Sequence, residues 1–233
     1  MNGKVALVTG ASTGLGRAIT AELTRGGWRV VGDARDGARL DRSVRSLPHP
    51  GLVTAIPGDV ADPAHRRRLA AAVASAGRLD LILNNASVLG PSPQPPLADY
   101  PIDALQYVYA VNTIAPLALL QLVMPWLQRS AGRVVNVSSD AAVEAYEGWG
   151  GYGSAKAALD QLTAVVAAEH PDLRVYAFDP GDMATDLHRQ AAPGADLSGL
   201  PAPQEIVPAL LRLVRGELPS GRYRAVDLAR AAV

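Results

Sequence analysis

The sequence predicts an α/β protein: a doubly wound parallel sheet of about seven strands, flanked by helices on both faces and formed as a single domain over residues 1–233. Short apolar, β-branched runs alternate along the chain with longer stretches of helical periodicity, which is the pattern of strands joined by right-handed crossover helices. No internal repeat and no dividing linker interrupts the 233 residues. With 48% hydrophobic residues, a chain of this length can bury a sizeable core.

Composition narrows the function before any motif is read. The formal charge is zero, the pI is near 6.9, and the arginines are scattered. That leaves no electrostatic footprint for nucleic acid or an anionic membrane. The absence of cysteine excludes disulfides, thiolate catalysis and cysteine-ligated zinc. His49, His65, His170 and His188 lie far apart without ligand spacing, so no protein-bound metal is expected. The N-terminus runs directly into a strand-like segment rather than a signal peptide. The longest apolar stretch, residues 114–127, reads as too short to span a bilayer and holds Pro116, Gln121 and Pro125. A cytoplasmic protein acting on a small molecule is the expectation.

In chain order, residues 4–9 (KVALVT) form the first strand, and a helix follows from Leu15 to about Arg25. Between them Gly10, Gly14 and Gly16 remove side chains where a backbone must turn tightly and approach a pyrophosphate seated on a helix N-terminus. Residues 28–33 are the second strand, and Asp33-Ala34-Arg35 at its end has two readings. Asp33 bonds a ribose hydroxyl or pairs locally, and Arg35 clamps a 2′-phosphate or is solvated; the balance lies with Arg35. Residues 52–57 are the third strand and 63–76 the next helix, with Arg66-Arg67-Arg68 read as a solvated face. Asp59 either accepts from an adenine amino group or caps that helix.

Residues 79–83 are the fourth strand, followed by Asn84-Asn85-Ala86, short residues suited to a backbone passing close to a ligand. The proline-rich residues 89–100 read as a surface loop, one wall of a pocket. Residues 102–127 form a long helix broken or kinked near Pro116, with Asn112 either a satisfied core amide or the holder of a water beside Lys156. Residues 132–139 are the fifth strand, placing Ser138 and Ser139 at the edge where open α/β sheets bind ligands. A helix over 152–170, a sixth strand over 174–178, a polar lid over 185–203, a helix over 204–216 and a last strand over 223–226 complete the chain.

Tyr152-Gly-Ser-Ala-Lys156 carries the chemistry. Four residues apart, the phenol and the ammonium share one helix face, and a nearby ammonium favours the phenolate. Only Lys4 and Lys156 of the 22 basic residues are lysine, so a merely solvated cation here would more naturally be arginine. Ser139 lies 13 residues earlier, and the intervening loop with Tyr146 and Trp149 can bring its hydroxyl to the phenol.

Together these motifs resemble the short-chain dehydrogenases/reductases over essentially the whole length, a family with a single-domain Rossmann fold. Thr9-Gly10-Ala11-Ser12-Thr13-Gly14-Leu15-Gly16 resembles the family's cofactor turn, Asp59-Val60 its adenine contact, and Asn84-Asn85-Ala86 its central-strand motif. Asn112, Ser139, Tyr152 and Lys156 match its catalytic four in order and spacing. Pro180-Gly181, Met183 and Thr185 resemble the segment that cups the nicotinamide. Ser87 departs from the family's usual glycine. The resemblance implies cofactor contacts along these motifs and at Asp33 and Arg35; Arg35 favours NADP(H), and Asp33 leaves NAD(H) open. It also implies reversible reduction of a ketone or aldehyde with Tyr152 as general acid, and a homodimer or homotetramer built on the long helices. Tyr146, Trp149, His188 and Ser139 are the candidate substrate contacts, with Leu187 and Leu197 on the lid, and they suit an apolar or cyclic carbonyl compound. The competing reading is a non-redox protein of the same fold, a lyase, an isomerase or a nucleotide sensor.

Overall fold

Seven short runs of the chain pair as one parallel sheet in a computed structural model that describes residues 3–230. The strands are β1 (Val5–Val8), β2 (Arg29–Ala34), β3 (Val53–Pro57), β4 (Leu81–Asn84), β5 (Arg133–Val137), β6 (Arg174–Asp179) and β7 (Gly221–Arg224). Their spatial order is β3-β2-β1-β4-β5-β6-β7. Successive side chains of a strand face opposite sides, and both faces here are covered, which is why the central runs are largely apolar instead of alternating, with Asn84 and Asn136 bonded to each other across β4 and β5. Ala6 and Val8 enter one core with α1 (Gly14–Arg25) and α8 (Pro203–Arg215), while Val5 and Leu7 enter the other with α3 (Pro63–Ala76) and α5 (Ala115–Arg129).

The chain winds outward from β1 in one direction and from β4 in the other, so β1 and β4 flank the switch point. Ligands of such sheets bind in the crevice outside the carboxyl ends of the strands at that point. The described residues include the remaining helices α2 (Gly37–Arg45), α4 (Ile102–Tyr109), α6 (Gly150–Glu169), α7 (Asp186–Ala191) and α9 (Ala225–Arg230).

Four expectations change. The helix α2 is absent from the sequence reading: its polar run buries only Leu40 and Ser43, and it starts where Asp36 accepts from the Arg39 N–H. The long central helix is continuous from Ile102 to Arg129, 28 residues, long and apolar enough by composition to cross a membrane. Half of its most apolar window is nevertheless buried within the fold, where Leu119, Leu120, Val123 and Leu127 pack in the core shared with α3. Its irregularity is a π turn at Ala110–Ile114, centred on Asn112, just before Pro116, which has no N–H to give to the preceding turn. The lid includes α7, started by the Thr185 hydroxyl accepting from the His188 N–H.

Candidate active site

The cleft opens on the glycine turn after β1. Gly10 and Gly14 have φ of +69° and +53°, a region that glycine enters without strain. Asn85, at the end of β4, donates from Nδ2 to the Thr9 and Gly10 carbonyls, and the Thr9 hydroxyl accepts from the Asn85 and Ala86 N–H groups. The two strand ends are thereby locked together. A Cβ on Gly16 would fall 2.3 Å from the Gly10 carbonyl oxygen, so Gly16 lets α1 pack onto the turn and does not itself line the cleft. Ser12, Thr13, Gly14 and Leu15 do line it. Thr13 caps α1 without a side-chain bond and the first turn holds no acid, which leaves N–H groups and a positive helix end directed at the cleft.

At the next strand end Asp33, Arg35, Asp59 and Val60 line the cleft. Asp33 is not free to read a ribose: Oδ1 accepts from the Gly10 N–H at 2.9 Å and Oδ2 lies 2.8 Å from His65 Nε2. Arg35 Nη1 donates to the Tyr107 hydroxyl at 3.0 Å, and that hydroxyl donates to Asp59 Oδ2 at 2.8 Å. Asp59 Oδ1 accepts from the Ala61 N–H, and the helix cap is Asp62. Arg66 is no solvated cation; it is buried and donates to the Val60 carbonyl. Sequence reasoning missed Tyr107 and His65 because their partners lie 48 or more and 32 residues away, respectively, with no local signal.

The far end of the cleft holds Ser139, Tyr152 and Lys156. Tyr152 and Lys156 are one turn apart near the start of α6 and are 6% and 2% exposed. The Ser139 and Ser87 hydroxyls lie beside the phenol, with their own protons donated to Asp140 Oδ1 at 2.9 Å and Asn112 Oδ1 at 3.2 Å, and burial pushes the tyrosine up to about 12. The expected lowering by Lys156 is not what the structure gives. Lys156 Nζ donates to the Val137 carbonyl at 2.7 Å and sits 5.6 Å from the phenol ring centroid. Burial brings Lys156 down to about 8, with Asp160 opposing.

Asn112 lies behind this end rather than in the cleft wall. Its Oδ1 accepts from the Val88 N–H at 2.9 Å and from Ser87 Oγ at 3.2 Å, and its Nδ2 donates to the Val88 carbonyl at 2.8 Å. The side chain is thus occupied in holding the strand extension after β4. Arg222, on β7, is a further residue the sequence did not single out. It donates to the Ser139 carbonyl at 2.8 Å, to Asp179 at 3.0 Å and to Asp160 at 3.0 Å, tying the Ser139 backbone to the helix that carries the Tyr–Lys pair.

Pro180, Gly181, Met183, Thr185, Leu187 and His188 form the remaining wall of a cavity of about 690 Å³ that joins both ends. Leu89, Trp149, Leu187 and Ala191 pack around Tyr152, and the Trp149 and Tyr152 rings meet edge to face at 5.8 Å. Tyr146 stands outside this cavity; it is 42% exposed, and its hydroxyl donates to Asp140 or Glu144. Leu197 lies on a separate shallow depression with Arg189 and Ala195. Across the mouth, Arg39 of α2 pairs with Asp186 of α7. No group of three or more metal-ligating side chains occurs among the described residues.

A cleft at the switch point of a doubly wound sheet, with a glycine turn at one end and a buried Tyr–Lys pair at the other, defines a dinucleotide-dependent α/β enzyme. Comparison with known proteins sharpens the class. The short chain dehydrogenase family pattern matches residues 4–196. The rhamnolipids biosynthesis 3-oxoacyl-[acyl-carrier-protein] reductase of Pseudomonas aeruginosa is 36% identical over 82% of this chain and 77% of its own. Mouse sepiapterin reductase is 33% identical over 80% and 77%. Among solved structures, a short chain dehydrogenase from Escherichia coli CFT073 complexed with NADPH superposes with a TM-score of 0.89 at 29% identity, covering 97% of both chains. The chain belongs to the short chain dehydrogenase family and is an NAD(P)-dependent oxidoreductase.

Proposed function

We propose that this protein reduces a ketone or aldehyde to an alcohol with NADPH, reversibly. The observation that carries the reading is the meeting of Ser139, Tyr152 and Lys156 at the end of the cleft remote from the glycine turn. Two features fit a dinucleotide: N–H groups at the start of α1 that no side chain occupies, and glycines where a Cβ would clash within the turn. Ser12 to Leu15 would hold the phosphates, Arg35 a 2′-phosphate, Asp59 and Val60 the adenine, and Lys156 with Tyr152 the nicotinamide ribose. Asn85 and Ala86 keep the floor in place, and Pro180, Gly181, Met183 and Thr185 would hold the nicotinamide. Bound there, NADPH supplies the hydride that the carbonyl carbon receives.

The residues of the chain then manage the proton. Tyr152 keeps its hydroxyl proton at neutral pH and gives it to the carbonyl oxygen as that oxygen gains charge. Ser139 donates to the same oxygen and holds it in place, and Lys156 brings a positive charge to the pair. Asn112 acts as a positioning residue that fixes Ser87 and Val88 beside the phenol. The segment 185–203 serves as the substrate lid, with Leu187 and Ala191 completing an apolar wall with Leu89 and Trp149. An aliphatic or cyclic carbonyl compound matches that wall.

Three relatives are reductases of chemically different carbonyl compounds: a 3-oxoacyl reductase, a sepiapterin reductase and the D-erythrulose reductase of Gallus gallus, 35% identical over 80% of this chain and 74% of its own. NADPH oxidation should therefore be followed with a panel of 3-oxoacyl thioesters, cyclic diketones and small hydroxyketones. The reading stands if one class is turned over; protein that binds NADPH and reduces none of them, nor oxidises the matching alcohols, sinks it.

Arg35→Ala is expected to weaken NADPH binding about tenfold or more and NADH binding little, since only the former presents a phosphate to the guanidinium. Parallel fluorescence titrations read the difference, and an equal loss for both cofactors removes the phosphate contact. Ile114, Leu122 and Val165 leave apolar surface exposed on the helices after Ile102 and at Tyr152, in keeping with a homodimer or homotetramer. Light scattering should report such an assembly; a monomer at every working concentration removes that part of the reading.

A further inference from the structure

The mechanism leaves one buried network unused. His65, fully buried on α3, has Nε2 2.8 Å from Asp33 Oδ2 and Nδ1 3.1 Å from Arg68 Nη2. A guanidinium only donates, so Nδ1 carries the ring's lone pair and Nε2 carries the proton, which points at Asp33. Asp33, 1% exposed, accepts on its other oxygen from the Gly10 N–H at 2.9 Å. Gly58 makes space for the ring: a Cβ there would lie 2.3 Å from His65 Nδ1. One directional chain of hydrogen bonds therefore runs from an exposed arginine, through α3 and the end of β2, to the backbone of the glycine turn. Its burial is costly, as buried ionised groups are unless each is partnered, and every member here is partnered.

Resting on the NADP(H) reading, we propose that His65 and Arg68 are specificity-determining residues that act through Asp33. Asp33 stands one position from Ala34 and two from Arg35, where a free carboxylate would bond a ribose 2′-hydroxyl and repel a 2′-phosphate. His65 holds that carboxylate against Gly10, away from the ribose, and Arg68 supplies a compensating positive charge along the chain. Arg35, held by Tyr107, is then the charge that a 2′-phosphate meets. The acid that would select NAD(H) is converted into a support for the glycine turn.

The test is equilibrium titration of purified full-length protein with NADPH and NADH, comparing wild type with Arg68→Met, His65→Phe and His65→Gln. Arg68→Met and His65→Phe are expected to lower the preference for NADPH over NADH by about tenfold, the scale of one charge-assisted hydrogen bond. His65→Gln retains a donor for Asp33 and should keep the preference within about threefold. An equal loss for both cofactors, or an unchanged preference in Arg68→Met, overturns the proposal and marks the network as a structural support only. Should His65→Phe fail to fold, Arg68→Met decides alone, because Arg68 is exposed. A wild type that prefers NADH, or binds neither cofactor, refutes the underlying reading and this inference with it, and it is seen before any substitution is made.

Discussion

Tyr152→Phe is expected to lower carbonyl reduction by about 10³-fold, within the range that a positioned general acid contributes, while NADPH binding changes little. The substitution keeps the ring that meets Trp149 edge to face and packs with Leu89 and Ala141, so the wall of the cleft survives. What it removes is the hydroxyl that the proposed reduction uses as its proton donor. Burial pushes this phenol up to about 12, so it stays protonated across the whole neutral range, as a donor must. The same shift makes it a poor base: alcohol oxidation needs the phenolate, which becomes more populated as pH rises toward 12. Reduction is therefore expected to lead at neutral pH and oxidation to gain steadily above it. Stopped-flow or steady-state NADPH traces on wild type and variant decide the matter, and wild-type turnover in Tyr152→Phe would refute the acid role.

The parts of this architecture that sequence could reveal are those whose physical cause is local. A parallel strand buried on both faces needs an apolar run, and Val5–Val8 shows one unbroken, while that of Arg133–Val137 is interrupted by Asn136, whose amide bonds Asn84 and Thr163. A tight turn with positive φ needs glycine, and Gly10 and Gly14 announce it. The spacing of Tyr152 and Lys156 is a helix period. The misses are interactions closed by the fold. His65 meets Asp33 across 32 residues, Tyr107 meets Arg35 across 72, and Arg222 meets Ser139 across 83. Nothing near His65 distinguishes it from a solvated histidine, and the run Arg66-Arg67-Arg68 splits three ways, into a buried carbonyl clamp, an exposed cation and a partner of the His65 ring. Asn112 shows the converse: its position in the chain was legible, but its side chain is committed to Val88 and Ser87. The π turn around it marks the place where the helix departs from regular hydrogen bonding beside the Tyr–Lys pair.

Lys156→Met should cost turnover on the scale of about 10²-fold, as the loss of a charge that stabilises the reacting oxygen does, and it should also remove a pH dependence of stability whose sign is fixed by burial. Lys156 falls from 10.5 in the unfolded reference to about 8 in the fold, chiefly because burial on α6 strips its ammonium of water, with Asp160 opposing. Between those two values the unfolded chain holds a proton that the folded chain has released. The unfolded state then binds more protons, and stability rises with pH. The burial penalty is full below about 8 and is relieved by about 3 kcal/mol as pH approaches 10.5, from the shift in pKa. Tyr152 acts in the opposite sense, since a folded value near 12 above an unfolded 10.0 makes stability fall across that higher window. The two opposing slopes are separated by difference: wild type minus Lys156→Met isolates the rise between about 8 and 10.5, because the tyrosine is present in both. Urea unfolding of both proteins at steps across that window measures it. Lys156 is the proposed holder of the nicotinamide ribose, so NADPH affinity is expected to fall as pH passes about 8 in wild type and to stay level in the variant. A flat difference in stability combined with pH-independent NADPH binding would show that Lys156 keeps its charge throughout, and the pair would then work as a fixed cation beside a titrating phenol.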